Sequence, residues 1–153
     1  MGEEPPEEVG MSHEERALPK PPRSSARRGY PPLVTDPRTR LSDEADAIRK
    51  AHNEIQLRKL NERIEEHHLR VQPAVAEWVC ECADETCALP VGLTIAEYEA
   101  VRAEPTHFFV APSDEHVDTD IEYVVRREPD YWIIAKKGVG AEMSRREQTP
   151  RRT

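Results

Sequence analysis

Aromatic residues are scarce in this chain, and long apolar runs are missing. Aromatics make up 5% of the 153 residues, whereas charged residues make up 34% and the formal net charge is -8. Such a composition is too polar to bury the whole length in one core. No run approaches the roughly 20 apolar residues of a transmembrane helix, and the acidic start Met1-Gly2-Glu3-Glu4 lacks the apolar segment of a secretory signal. The sequence therefore predicts a cytoplasmic protein that does not enter a membrane.

Glycine is also rare, and the catalytic motifs that are built on it are missing. With six glycines, the chain contains neither a Gly-x-Ser-x-Gly elbow nor a Gly-x4-Gly-Lys phosphate loop. Gly138 and Gly140 follow a predicted strand, but too few residues remain for a nucleotide-binding crossover. These absences disfavour a serine hydrolase or a nucleotide-binding enzyme. The residues after the predicted strand are polar, and we expect residues 139–153 to form a disordered, arginine-rich tail.

Cysteine occurs three times, and all three cysteines lie within eight residues. The odd number and the lack of a secretory signal argue against a disulfide framework. Structural zinc takes four ligands, usually thiolates and imidazoles, in a tetrahedron. Cys80 and Cys82 are two apart, so on an extended backbone both sulfurs point to one side, and the next four residues allow a turn back to Cys87. His116, after 28 further residues, completes a predicted structural Zn²⁺ site.

Other interpretations of the cysteine cluster stay open at this stage. His107, next to two aromatic residues, is a competing fourth ligand, although His116 is favoured because it is expected on a loop. The thiols can instead be reduced core residues or a redox pair. If no histidine completes the tetrahedron, the three cysteines leave an open position on the metal, as in a catalytic zinc site. That arrangement is the sharpest enzyme hypothesis.

The distribution of aromatic residues locates the core. Tyr30 is the only aromatic residue before Trp78, and the other seven lie between Trp78 and Trp132. We therefore expect one small α+β module over residues 71–138. A domain of this size is marginally stable from apolar burial alone, and a structural metal is a common remedy.

Short elements are predicted along this module. Thr94-Ile95-Ala96-Glu97 is a capping box that begins a short helix, with Ile95, Tyr98 and Val101 facing inward. Residues 121–126 fit either a short helix or a strand. Four short antiparallel strands are expected at residues 77–82, 89–93, 108–110 and 131–135.

A long helix is predicted over residues 41–70, before the module. Ser42 is a good N-cap, and no glycine or proline interrupts the stretch. The apolar residues fall on two opposite sides of the helical wheel, Leu41, Ile48, Ala51 and Ile55 on one and Leu57, Leu60 and Ile64 on the other. Either the helix packs on the module only through its second half, or its first half meets another chain. We therefore expect residues 42–69 to contact a protein partner or a second copy, with His67 and His68 as exposed capping residues.

Charge is segregated in the N-terminal part of the chain. Residues 1–40 hold eight of the 14 prolines and few apolar side chains, so we expect them to be disordered. Residues 1–15 carry six Glu and no Lys or Arg, whereas residues 16–40 carry seven Lys or Arg, a composition that can contact nucleic acid. Residues 70–139 hold 14 acidic residues against six Lys and Arg, which argues against nucleic-acid binding by the folded module itself.

Several stretches between Asn53 and residue 137 carry a resemblance to a known family. They are Asn61-Glu62-Arg63-Ile64, Trp78-Val79-Cys80-Glu81-Cys82 with Cys87, Leu93-Thr94-Ile95-Ala96-Glu97-Tyr98-Glu99-Ala100-Val101-Arg102, Pro105 and Phe109-Val110-Ala111-Pro112. In these stretches the chain resembles a family of small Cys-x-Cys-x4-Cys proteins from high-GC bacteria. The resemblance implies a Pro-Gly-His-Glu motif after the third strand, where this chain has two more residues before His116, and it implies no particular activity.

The sequence as a whole favours a non-enzymatic, zinc-stabilised module that binds or regulates a protein partner. One alternative is a metal-dependent or thiol enzyme that uses the cysteine cluster. Another is a nucleic-acid-associated factor that acts through residues 16–40. The first interpretation predicts that metal removal unfolds the module, whereas the second predicts a folded metal-free protein.

Overall fold

Over residues 36–148, the fold joins one long helix to two small antiparallel sheets and two short helices. The computed structural model describes residues 36–148, so the predictions for residues 1–35 and 149–153 lie outside the described range. The elements follow in the order α1 (Pro37–Val71), β1 (Ala76–Val79), β2 (Pro90–Leu93), α2 (Ile95–Arg102), β3 (His107–Val110), β4 (Glu122–Arg127), β5 (Trp132–Lys136) and α3 (Gly138–Arg146). The predicted α+β class is confirmed. Among the described helices, none has the length and apolar character needed to cross a membrane.

The strands in the described part of the chain form two separate sheets. β1 and β2 make an antiparallel hairpin in which Trp78 lies opposite Val91. The second sheet has the strand order β3-β5-β4, with antiparallel neighbours and a bulge between Val124 and Arg126. Residues 121–126, for which the sequence allowed either a helix or a strand, thus belong mainly to strand β4.

A stack of aromatic rings joins the hairpin, α2 and the second sheet. The rings of Trp78 and Tyr98 are parallel with centroids 3.9 Å apart, and Tyr98 meets Phe109 edge-on at 6.0 Å. All three side chains are buried, and such ring pairs add stability beyond the area that they bury. Val101 is also buried and Ile95 packs partly against the core, so the predicted inward face of α2 is confirmed.

Helix α2 begins with the predicted capping box. The Thr94 hydroxyl accepts a hydrogen bond from the Glu97 amide at 3.1 Å, and the Glu97 carboxylate accepts one from the Thr94 amide at 2.8 Å. These bonds satisfy backbone amides that the start of a helix would otherwise leave unpaired. The beginning of α2 is therefore defined by its own local sequence.

Helix α1 begins earlier than predicted. Asp36 rather than Ser42 is the N-cap, because its carboxylate accepts a hydrogen bond from a first-turn amide at 2.9 Å and Pro37 suits the first helical position. Residues 37–40, which were expected in the disordered tail, are therefore helical. At the other end, Gln72 has φ 50°, the left-handed conformation that commonly follows a helix.

The buried face of α1 is a stripe of mixed polar and apolar residues in the middle of the helix. It consists of five residues at helical spacing, Ala51, Glu54, Ile55, Arg58 and Asn61. Leu57 and Leu60 are only partly buried, whereas Leu41 and Ile48 are 68% and 40% exposed. Of the two alternatives that the sequence left open, packing through the second half alone is wrong, because the buried stripe begins at Ala51, before the middle of the predicted helix. Polar side chains carry much of the contact, and a wheel of apolar residues cannot reveal them.

Helix α3 replaces the first part of the predicted tail. Gly138 has φ 52°, a conformation that costs other residues more, so this glycine turns the chain from β5 into the helix. Gly140 lies close to Ala51, which lets α3 approach α1. The prediction of a disordered tail over residues 139–153 is therefore wrong up to the end of α3. The glycines that suggested flexibility serve a turn and a close helix contact.

A buried ionic cluster lies between α1 and the second sheet. Lys136 of β5 contacts the carboxylates of Glu54 on α1 and of Glu122 on β4, and all three residues are buried. Glu122 also accepts a hydrogen bond from the Asp118 amide at 2.8 Å. Burial raises the pKa of Glu54 to about 8, and the charge of Glu122 adds to this effect while Lys136 opposes it. Burial thus shifts Glu54 toward its protonated form, and the contact with Lys136 partly offsets that shift.

Candidate metal centre

The end of β1 positions the first two cysteines. The strand stops at Val79, three residues before the predicted end. The Cys80 amide still donates to the Leu89 carbonyl at 2.9 Å, but the amide of Glu81 donates to the Phe109 carbonyl of β3 at 3.0 Å. The ladder between β1 and β2 ends there because the chain leaves the hairpin and joins the second sheet.

A turn returns the chain to Cys87, as predicted. The Asp84 carboxylate accepts hydrogen bonds from the Thr86 amide at 2.8 Å and from the Thr86 hydroxyl at 2.7 Å, and the Cys87 amide donates to the Asp84 carbonyl at 3.1 Å. A turn of this kind is encoded by its aspartate, whose side chain binds the backbone two residues on. We call residues 80–87 the cysteine loop.

His116 lies in the loop after β3, as predicted. A single 3-10 turn spans Asp114–His116. Ser113 precedes the turn, and its carbonyl accepts a hydrogen bond from the His116 amide at 3.1 Å. This short turn brings the His116 imidazole, which is half-buried, to the open side of the cysteine loop.

Four potential ligand atoms converge at one point. Those of Cys80, Cys82, Cys87 and His116 all lie within 4.8 Å of one another. His116 Nδ1 is 3.8 Å from the sulfur of Cys80 and 3.7 Å from the sulfur of Cys87. Bonds of about 2.3 Å to sulfur and about 2.0 Å to nitrogen, arranged as a tetrahedron, give a sulfur–nitrogen edge of about 3.6 Å. The arrangement can therefore hold a single tetrahedral metal ion.

The site is buried on one side and partly accessible on the other. Cys80 and Cys82 are buried, whereas Cys87 and His116 are half-buried. The Ala111 amide donates a hydrogen bond to the sulfur of Cys80 at 3.3 Å. Such outer contacts orient a metal ligand and stabilise the negative charge of a thiolate.

The three thiols differ in acidity. The pKa of Cys82 is lowered to about 5, chiefly because the Cys80 thiol donates to its sulfur, with a smaller effect of His116. The same contact with Cys82 raises the pKa of Cys80, and burial raises the pKa of Cys87. Cys82 is thus the most acidic of the three thiols, and three thiolates at this point would repel one another unless a cation offset their charge.

The other candidate histidines lie elsewhere. His107, the competing fourth ligand, is on β3 opposite Ala135 and lies outside the group of convergent ligand atoms. His67 is exposed at the end of α1, as expected. The ring of His68 is 2.9 Å from the Glu77 carbonyl, so this residue joins α1 to β1 rather than capping its own helix.

An open cleft of about 380 Å³ borders the centre. Two of the four convergent residues, Cys82 and His116, lie on its wall. Most of the other lining residues are polar, and Lys50 pairs with Asp118 across 2.6 Å. Pockets for small organic ligands are usually lined by apolar side chains. This cleft therefore gives solvent access to the centre but lacks the apolar lining of a typical ligand site.

Side chains of α1 contact the cysteine loop from its buried side, and sequence analysis did not identify them. The Asn61 amide group exchanges two hydrogen bonds with the Val79 backbone, at 2.9 and 3.0 Å, and donates to the Glu81 carboxylate at 3.0 Å. Asn53 donates to the Cys82 carbonyl at 3.4 Å. The signal that could have found these residues is a row of polar side chains at helical spacing in the middle of α1.

Comparison with known proteins gives no assignment. No family model, curated protein or solved structure matches the chain. The resemblance to the Cys-x-Cys-x4-Cys family stays a prediction, with which the convergence of the three cysteines is consistent.

Proposed function

We propose that this chain is a zinc-stabilised, non-enzymatic module that binds or regulates a protein partner. The observation that carries the proposal is the convergence of three sulfurs and one imidazole nitrogen within 4.8 Å. Thiolate and imidazole ligands in a tetrahedral arrangement are typical of Zn²⁺. Four protein ligands fill the tetrahedron and leave no position for water or substrate, which supports a structural rather than a catalytic role.

The position of the site in the fold supports the same role. β1 and β2 have four residues each, and an isolated two-stranded hairpin is marginal in water. Cys80 and Cys82 follow the hairpin strand β1, whereas His116 follows β3 of the second sheet. A metal ion held by these residues links the two sheets. The free energy of metal binding then stabilises the folded state, as it does in other small zinc domains.

Elemental analysis of purified full-length protein tests the proposal. We expect one zinc per chain in the wild type and in His107→Ala, and a loss of zinc together with the cooperative thermal transition in Cys82→Ser. His116→Ala should lose most of the zinc. The His107→Ala variant is the matched control. It removes a histidine that follows the cysteines at a similar distance along the chain but lies outside the group of convergent ligand atoms.

Other outcomes of this experiment have defined meanings. A folded wild type without metal would overturn the proposal. Zinc retained in His116→Ala, with an exchangeable water on the metal, would favour the catalytic alternative, because three cysteines then leave one position open. The nucleic-acid alternative rests on residues 16–40, of which 16–35 lie outside the described range. It predicts salt-sensitive binding that is lost when those residues are deleted.

The expected partner contact through α1 stays a prediction. Residues 51–61 of that helix pack on their own chain, whereas Leu41 and Ile48 are exposed. These two are seven residues apart and so share one face of the helix. If a second copy covers this face, sedimentation will show a dimer that Ile48→Asp dissociates. A monomer at all concentrations would rule out self-association through this surface.

A further inference from the structure

The side chain of Asn61, on α1, forms hydrogen bonds with the backbone of Val79, the last residue of β1. Asn61 Nδ2 donates to the Val79 carbonyl at 2.9 Å, and Asn61 Oδ1 accepts from the Val79 amide at 3.0 Å. The amide and the carbonyl of Val79 are thus both paired with Asn61, which is buried. Val79 immediately precedes Cys80, so Asn61 fixes the backbone from which the first ligand projects.

The residue between the first two ligands is also held by α1. Glu81 is fully buried, and its carboxylate accepts a hydrogen bond from Asn61 at 3.0 Å. Burial raises the pKa of Glu81, and the positive charge of Arg58, on the same buried stripe of α1, partly offsets this effect. Alternate side chains of an extended segment point to opposite sides, so holding Glu81 toward α1 directs Cys80 and Cys82 away from the helix.

The second ligand has its own contact with the helix. Asn53, two turns before Asn61, donates to the Cys82 carbonyl at 3.4 Å. The backbone is therefore held by α1 amide side chains on both sides of Glu81. Residues in the second layer around a metal typically orient its ligands.

We propose that Asn61 is a positioning residue of the metal centre and that, through Asn61, metal binding and the docking of α1 on the hairpin are coupled. The inference rests on the proposed metal site. When the metal is removed, the cysteine loop is free to move. The buried side chains of Asn61, Glu81 and Arg58 then lose the fixed positions of the groups with which they interact. Unpaired buried polar groups are unfavourable, so α1 detaches from the hairpin. Linkage is reciprocal, so removing the hydrogen bonds of Asn61 lowers metal affinity by the factor by which metal binding strengthens those bonds.

The first test measures the affinity of the full-length chain for Zn²⁺ and Co²⁺ by competition with a chelator. We compare the wild type with Asn61→Ala and with Ile55→Val. Ile55 is buried on the same helix and packs in the apolar core, so Ile55→Val weakens the packing of α1 without removing a hydrogen bond to β1 or to the cysteine loop. We expect Asn61→Ala to lower affinity about 10- to 100-fold, the range seen when outer contacts of a metal site are removed, and Ile55→Val to change it little.

Spectroscopy and hydrogen exchange supply readouts that a purely structural role would not change. In the Co²⁺ form, Asn61→Ala should shift the ligand-field bands, because the sulfur positions change. In the wild type, removal of metal should abolish amide protection over residues 51–61 while strand β5 stays protected longer. If Asn61→Ala does not fold, Asn53→Ala removes only the contact with the Cys82 carbonyl and serves for the same comparison.

The outcomes separate this inference from the proposed function. Equal affinity of wild type and Asn61→Ala, or equal losses in Asn61→Ala and Ile55→Val, would overturn the inference while leaving a zinc site intact. Unchanged protection of residues 51–61 after metal removal would also overturn it. A wild type that binds no metal would overturn both the inference and the proposed function.

Discussion

Helices α1 and α2 both lie against the core, but polar side chains make up more of the buried face of α1 than of α2. α2 buries Tyr98 and Val101 in the aromatic stack and begins with its own capping box. α1 buries Arg58 and Asn61, and both donate hydrogen bonds to backbone carbonyls of other elements. Apolar contacts tolerate small shifts, whereas hydrogen bonds weaken steeply when their geometry changes. The position of α2 thus depends on local sequence and burial, and that of α1 depends on the backbone course of its neighbours.

The largest effect is expected where α2 joins the core. Tyr98→Ala removes the ring that stacks on Trp78 and should lower the free energy of unfolding by about 3–5 kcal/mol. The measurement is urea denaturation. Tyr98→Phe is the matched control, because the buried Tyr98 hydroxyl has no hydrogen-bond partner among residues 36–148. We expect this variant to be close to neutral, and a loss comparable to that of Tyr98→Ala would contradict the apolar account of α2.

The corresponding change in α1 should have a somewhat smaller effect. Arg58→Met keeps the aliphatic stem but removes the hydrogen bonds to the carbonyls of Pro105 and His107, and the charge near Glu81. We expect a loss of roughly 2–4 kcal/mol, because buried partners are left unpaired. Arg63→Met, on the exposed side of the same helix, is the control and should be nearly silent. Similar unfolding midpoints for the two variants would refute the polar docking of α1.

Titration of the buried Glu54 should make the stability of the protein depend on pH. Its folded pKa of about 8 lies above the value of 4.5 for a free carboxyl, so the folded protein holds a proton that the unfolded chain has lost. The free energy of unfolding should therefore fall as pH rises from about 4.5 through about 8. Glu54→Gln, which resembles the protonated acid, should flatten this dependence, match the wild type near pH 4.5 and exceed its stability at higher pH. Melting curves across pH 5–9 compare the two proteins, and parallel profiles would contradict the assignment.

The smallest effect is expected at an exposed contact between α1 and α3. Lys59 and Glu147 form an ion pair at 2.7 Å, and both side chains are well exposed. Exposed pairs typically contribute between zero and about 1 kcal/mol and are screened by salt. Lys59→Ala should therefore lower the thermal midpoint slightly in dilute buffer and not at all in concentrated salt. A salt-independent loss would mean that the aliphatic stem of Lys59, rather than its charge, stabilises the helix pair.

The sequence predicted most reliably those features that are encoded within a few residues. The capping box of α2, the turn at Asp84 and the strands β3 and β5 all follow from short local patterns, whereas the pattern over residues 121–126 left helix or strand open. The convergence of Cys80, Cys82, Cys87 and His116 was predicted from ligand spacing and is found in the structure.

Features that depend on contacts between distant residues were predicted less well. The docking face of α1 was assigned from its apolar residues, although Glu54, Arg58 and Asn61 form much of it. Their partners are far away in the sequence, and no local pattern identifies them. Helix α3 was missed because Gly138 and Gly140 disfavour a helix locally, whereas tertiary contact with α1 favours one.

The contacts of α1 with β1 have a consequence for how the protein behaves when that helix detaches. Asn61 pairs with the amide and carbonyl of Val79, and His68 lies 2.9 Å from the Glu77 carbonyl. The side of β1 that faces away from β2 is thus covered by helix side chains instead of by another strand. An uncovered strand edge is a template for pairing with other chains. By covering this edge, α1 should also prevent the pairing of β1 with other chains. We expect the protein to precipitate under conditions that release α1 while the sheets are still folded.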